Sequence, residues 1–172
     1  MITSTCCTPA LGALSDAGTA FDGKHLFQLG QGQINRLDPD TGAVLNSIPA
    51  PPNASGLAWA EGVLWVGSYR TREIRQIDPE TGAVLRTLTS NRFVTGVTWV
   101  NGELWHGARH EEESELRQID PTTGQVLRRL IMPKGMTISG LESNGSNEFY
   151  CGGGTSGTVR VVRRSEQRRD KT

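Results

Sequence analysis

The residues able to do chemistry in this chain are few, and most stand in two short runs. The first is Leu104-Trp105-His106-Gly107-Ala108-Arg109-His110-Glu111-Glu112-Glu113-Ser114. It sets two imidazoles beside three carboxylates, a donor set that a divalent cation accepts. The simpler reading of the charged part is a solvated loop, and no metal is assigned to it. His106 stands apart from that loop because its neighbours are apolar; an imidazole so placed can act as a general base or a ligand. The second run is Gly140-Leu141-Glu142-Ser143, whose carboxylate needs a partner, water or a function if it is buried. Tyr69 and Arg70, in Ser68-Tyr69-Arg70-Thr71-Arg72, join Arg109 and Tyr150 as candidate substrate-binding residues. Cys6 and Cys7 are adjacent, a weak soft-metal signal, and read as two reduced thiols in an N-terminal arm. No G-x-S-x-G elbow, Walker loop, H-E-x-x-H or C-x-x-C pair is present.

What must position these residues is a repeat. Leu37-Asp38-Pro39-Asp40-Thr41-Gly42 recurs as Ile77-Asp78-Pro79-Glu80-Thr81-Gly82 and Ile119-Asp120-Pro121-Thr122-Thr123-Gly124. A second signature, Gly56-Leu57-Ala58-Trp59-Ala60-Glu61-Gly62, recurs from Gly18, from Gly96 and, degenerate, from Gly140. The leading glycines are spaced by 38, 40 and 44 residues, near the length of a four-stranded propeller blade. Each repeat reads strand, tight turn, strand, loop, strand, D-P-x-T-G, strand. Asp22-Gly23, Glu61-Gly62 and Asn101-Gly102 are turn pairs that favour two-residue hairpins, because Gly and Asn tolerate positive φ. In D-P-x-T-G, Pro presets φ, Asp bonds the backbone downstream and Gly takes the left-handed position.

The expectation is an all-β propeller of about four four-stranded blades. The repeats span 16–164, with blades near 18–55, 56–95, 96–139 and 140–164. The fourth repeat lacks D-P-x-T-G and its last strand. Residues 1–15 are an arm whose Leu11–Leu14 stretch could supply that strand; otherwise truncation leaves the blade open. Residues 165–172 read as a disordered tail.

Hairpin register fixes the faces. With Glu61-Gly62 as the turn, Leu57, Trp59, Leu64 and Val66 share one face, while Ala58, Ala60, Val63 and Trp65 share the other. A sheet apolar on both faces must be covered on both, so Trp59, Trp65, Trp99, Trp105, Phe21 and Phe27 are expected between blades. Against this pattern the candidates become departures. The Val66 column holds Gln28, His106 and Cys151; the Ala58 column holds Ala20, Thr98 and Glu142. His106 is expected near an inter-blade surface with a lowered pKa, and Glu142 near the central channel with Tyr150 as its cross-strand neighbour. These two are the candidate catalytic residues.

Bulk properties narrow the functions. Lys plus Arg and Asp plus Glu number 18 each, for zero net charge, against a nucleic-acid surface. The 21 glycines among 172 residues suit a fold rich in turns. No apolar run reaches the roughly 18 residues of a membrane span, and no secretory signal is evident. Three cysteines give no disulfide framework, so a cytoplasmic protein is expected.

The pattern G-L-x-W-x-x-G-x-L-W-V-x followed by I-D-P-E-T-G-x-V resembles the β-propellers of the glutamine cyclotransferase-like group, over about residues 16–164. It is similar, more distantly, to virginiamycin B lyase and to the NHL and SMP-30-like propellers. The resemblance implies an acyltransferase activity in which an N-terminal glutaminyl residue closes to pyroglutamate with loss of ammonia, on a small molecule or peptide N-terminus at the central funnel. That family carries an acidic or amide residue just before the inner-strand glycine; the matching slots here are Ala17, Ser55, Thr95 and Ser139. The lyase resemblance implies instead His and Glu acting with Mg²⁺ in an elimination from a lactone. The alternative is a non-catalytic interaction scaffold binding through the loops. A half-ring that completes itself as a homo-oligomer is a further expectation.

Overall fold

The structure, a computed structural model, describes residues 18–153 and 158–164. It contains four small antiparallel sheets, each made of strands consecutive in sequence. The first sheet is β1 (Thr19–Phe21), β2 (Leu26–Gly30), β3 (Gln33–Leu37) and β4 (Val44–Pro49). The second is β5 (Ala54–Ala60), β6 (Val63–Ser68), β7 (Glu73–Ile77) and β8 (Val84–Thr89). The third is β9 (Phe93–Val100), β10 (Glu103–His110), β11 (Glu113–Ile119) and β12 (Val126–Ile131). The fourth has three strands, β13 (Gly140–Ser143), β14 (Glu148–Gly152) and β15 (Val159–Arg163). This is a four-bladed propeller, as the repeats predict. The proposed closing strand at Leu11–Leu14, Cys6, Cys7 and the tail from 165 lie outside the described residues.

Turn chemistry sets the strand ends. Glu61 and Gly62 have φ of 51° and 85°, and Asn101 and Gly102 have 52° and 79°, the doubly positive turn that matches strand twist. The first blade differs. Its loop runs from Asp22 to His25, because the Asp22 carboxylate accepts the backbone N–H groups of Lys24 (2.7 Å) and His25 (2.5 Å) and so holds a wider turn. Each D-P-x-T-G turn repeats one network. The Asp78 carboxylate accepts the N–H of Glu80 and Thr81, and the Thr81 hydroxyl accepts that of Ala83. The same bonds recur at Asp38 and Asp120. They hold all three aspartate carboxyls below their usual range, led in each by the bond from the threonine N–H.

Register carries the two-faced pattern into the core. Ala58 pairs with Trp65 and Trp59 with Leu64. Leu57, Leu64 and Val66 bury against Phe27, Leu29 and Ile34 of the first blade, while Ala58, Ala60 and Trp65 bury against Val97 and Leu104 of the third. Val100, Trp105 and Leu116 then bury against Phe149 and Cys151 of the fourth. Aromatic contacts mark every interface: Phe27 on Trp59 (5.4 Å), Trp65 on Trp99 (6.4 Å) and Trp105 on Phe149 (4.8 Å). The last pair replaces the aromatic that the fourth inner strand lacks. Phe21 departs from the expected core role; its side chain is 55% exposed, since it lies on the face of the first blade turned away from the second.

The inner strands approach closely around the axis. A Cβ on Gly56 would lie 2.8 Å from the Cα of Gly96, and one on Gly96 would lie 3.3 Å from Leu141. Gly18 would meet the Leu57 nitrogen at 3.0 Å. This staircase of close backbone contact requires glycine. It stops at Gly140, where an added Cβ would meet nothing. Inner-strand packing runs β1 to β5 to β9 to β13, with no comparable contact returning from β13 to β1 among the described residues. Among the described residues the ring is open between the fourth blade and the first.

Candidate functional site: the central funnel

Around the axis the four inner strands leave a cavity of about 970 Å³. Its wall includes Thr19 and the glycines 18, 56, 96 and 140. One side of the mouth is built where the second strands of the second and third blades end. Tyr69 and Arg70 come from the loop after β6 and Arg109 from the end of β10, while Glu142 and Tyr150 come from the fourth blade. All the candidate substrate-binding residues therefore line one cavity. Tyr69 is held by stacking on Phe93 at 4.7 Å, and the Arg72 guanidinium lies 4.6 Å over that Phe93 ring. Arg109 donates from Nε to the Glu111 carbonyl at 3.1 Å. Arg70 is exposed.

Glu142 sits opposite Tyr150 across the β13–β14 ladder, as the register predicts. Its Oε1 accepts a hydrogen bond from the buried Thr98 hydroxyl at 3.0 Å and from the Ser143 N–H at 2.8 Å. Those two donors orient the carboxylate and leave Oε2 without a hydrogen bond among the described residues. Thr98 occupies the same repeat column as Glu142, so a departure in one blade is steadied by a departure in the blade before it.

His106 does not line the funnel. It is 1% exposed and borders a separate cavity of about 290 Å³ between the second and third blades, with Asn91, Arg117 and Arg129. Its ring Nδ1 lies 3.0 Å from the Gly107 carbonyl, so that nitrogen carries the proton and donates. Burial pushes its pKa down to about 4, which keeps the ring neutral at pH 7. The inter-blade placement and lowered pKa follow the expectation; the funnel role does not, because the Val66 column faces the preceding blade and not the axis. His106 and Glu142 accordingly do not share a cavity. Cys151, in the same column, is buried, and burial raises its thiol to about 11, which makes it inert.

Two arrangements escaped the reading of the sequence. Arg117, 2% exposed, donates to Glu115 through Nε (2.6 Å) and Nη2 (2.5 Å), and to Asn91 through Nη1 (2.7 Å). Arg92 reaches the same carboxylate at 3.3 Å. A signal was present: residues i and i+2 on a strand share a face, and Glu-x-Arg stands at 73–75 and again at 115–117. The other is Arg164, which pairs with Glu103 and lies over the rings of Trp105 (5.8 Å) and Phe149 (5.5 Å). It pins the end of the fourth blade to the third. Glu111–Glu113 line an outer groove with Arg92 and Lys134, and His110 is not in its wall. The described residues contain no group of three His, Cys, Asp or Glu placed to hold a metal.

Of the slots preceding the inner glycines, Ser139 is exposed at the funnel, whereas Ser55 and Thr95 border it and also pack between strands. The Ser55 hydroxyl donates to the Val94 carbonyl at 2.8 Å and lies 3.2 Å from that of Gly67. Thr95 is buried against Gly107.

Comparison with solved structures places this geometry. Glutaminyl cyclase from Myxococcus xanthus superposes with a TM-score of 0.70 at 17% identity, over 90% of this chain and 76% of that one. The fold is a β-propeller similar to that enzyme. Hydrazine synthase from Kuenenia stuttgartiensis gives 0.64 at 14% identity, over 95% of this chain but only 49% of its own. The computationally designed Ika4 protein gives 0.57 at 18% identity, over 92% and 96%. No family model matches the chain, and no curated protein matches it. Identities this low carry the fold and leave activity to the site.

Proposed function

We propose that the funnel binds the amino end of a peptide, or a small molecule of like chemistry, and that the chain acts on it as a glutaminyl cyclase-like acyltransferase. One observation carries this reading. A carboxylate held by two donors, Glu142, lines the same cavity as two guanidinium groups, Arg70 and Arg109. A glutaminyl end presents an amine to the first and a side-chain amide carbonyl to the others. In cyclisation the α-amine attacks the amide carbon, and the carbonyl oxygen gains negative charge before ammonia leaves. Glu142 would take the proton from the attacking amine and return it to the departing nitrogen. Arg70 and Arg109 would stabilise the oxyanion, and Tyr69, braced by Phe93, would cover the side chain. The likeness in fold to the Myxococcus enzyme supports the reaction class.

Incubation with a glutaminyl peptide, read by mass spectrometry for loss of ammonia, tests the proposal. Glu142→Gln should lower turnover by about 10²-fold or more with an unchanged melting temperature, because the amide can still accept from Thr98. Turnover unaffected by Glu142→Gln overturns the assignment of the base. A scaffold reading has one observation in its favour: the Ser55 and Thr95 slots are given to inter-blade packing. Binding of the peptide without turnover would select it.

A further inference from the structure

The first two interfaces inside this chain share one aromatic design, the third keeps its second-strand aromatic, and both halves of a fourth are present but separated. In the first two, an aromatic of a blade's second strand stacks on an aromatic of the next blade's inner strand: Phe27 on Trp59 and Trp65 on Trp99. Tyr150 occupies the position of Phe27, Trp65 and Trp105 on the last blade. Phe21 occupies the position of Trp59 and Trp99 on the first. Tyr150 is 38% exposed and Phe21 is 55% exposed, so neither has the cover its counterparts have. The rest of each face agrees. Tyr150 pairs with Val161, and Val161 and Val159 are both more than half exposed. Phe21 pairs with Leu26. Gly140 is the step of the glycine staircase that meets nothing.

We propose that a second copy of this chain docks on the fourth blade through its own first blade, head to tail, repeating the interface that the chain makes three times internally. The surfaces are complementary to each other and not to themselves. The contact is therefore heterologous, and it closes into a ring or propagates. Tyr150 would stack on Phe21 of the next copy, and the inner strand of that copy would pack over Gly140. The next copy's first blade would also wall the funnel beside Glu142, so that assembly and the site are linked.

Sedimentation of the whole chain across concentration tests this. A mass of two chains or a higher multiple is expected, and a monomer up to about 100 µM overturns the proposal, whether the gap is then empty or covered by the chain's own residues 1–17. Phe21→Glu and Tyr150→Glu should each shift the equilibrium towards monomer on the order of tenfold or more. Circular dichroism of each should match the parent, since both side chains are exposed in the single chain. Mixing the two variants is the directional test. One junction per pair, Tyr150 of the Phe21→Glu chain on Phe21 of the Tyr150→Glu chain, is then intact. A one-to-one heterodimer should appear in the mixture and in neither variant alone. Failure of the mixture to associate, or retention of association by either variant alone, overturns the head-to-tail arrangement.

Discussion

The second blade and the fourth carry the same strand pattern and live in different surroundings. Trp65 lies between Ala58 and Ala60 of its own blade and Trp99 of the next. Tyr150, in the matching position, faces the gap. The second blade is covered on both faces; among the described residues the fourth is covered on the face of Phe149 and Cys151 and open on the face of Glu142 and Tyr150. Covered faces hold the ring together, whereas the open one borders the funnel and carries its carboxylate. The same ladder thus serves packing in one blade and is free to meet a ligand in another.

The largest test of this contrast is removal of the two aromatics. Trp65→Ala should cost about 3–5 kcal/mol, read by urea unfolding, while Tyr150→Ala should cost under about 1 kcal/mol at protein concentrations low enough to keep the chain monomeric. Comparable losses would mean that the fourth blade is covered in the single chain. Next come the glycines. Gly56→Ala drives a methyl into the backbone of Gly96 and should cost about 1–3 kcal/mol. Gly140→Ala meets open space and should leave the melting temperature of the monomer nearly unchanged.

The pH dependence sharpens the comparison from a third interface. His106 is held neutral in the fold with a pKa of about 4, against an ordinary value near 6.5. In the unfolded chain it binds a proton as pH falls below 6.5, and in the folded chain it does so only near 4. The group therefore has no effect above about pH 6.5 and destabilises progressively as pH falls to 4, by up to about 3 kcal/mol. His106→Val, which installs the residue of the second blade, should flatten that slope. The three turn aspartates also have lowered carboxyls and add acid sensitivity at lower pH still, which the variant should keep. An unchanged slope between pH 6.5 and 4 would show that the ring is not buried in solution. The smallest effect is expected at Thr81→Ala, where one exposed turn hydroxyl is lost: about 0.5–1 kcal/mol.

The sequence made the fold legible because its signals are local. Glu61-Gly62 sets a register, the register sets two faces, and the faces demand neighbours. His106 could be placed between blades by that logic, since its column is otherwise apolar. Which side of the blade its column faces was not legible. Facing the previous blade or the axis depends on how the blades tilt, and no turn residue reports that. The same limit hid the bond from Thr98 to Glu142, a contact across 44 positions: the two share a repeat column, but a shared column does not say that successive blades bring its members within reach. It hid the exposure of Phe21 too: the pattern says what an aromatic would pack against, not that the neighbour is absent. The Glu115–Arg117 pair left a trace in the alternation of its strand, whereas its bond to Asn91 in the preceding loop left none.

The sequential order of strands in every sheet has a consequence for how the molecule opens and closes. Among the described residues every hydrogen-bonded strand pair joins neighbours along the chain, so each blade can form without waiting for a distant partner, a low-contact-order route. Stability then accumulates from nearest-neighbour interfaces, as in a one-dimensional array. Among the described residues the two middle blades have two such interfaces and the outer blades one. Amide exchange should consequently be slowest in β6 and β10 and grade outward to β2 and β14, so that the blade bearing Glu142 is also among the first to breathe.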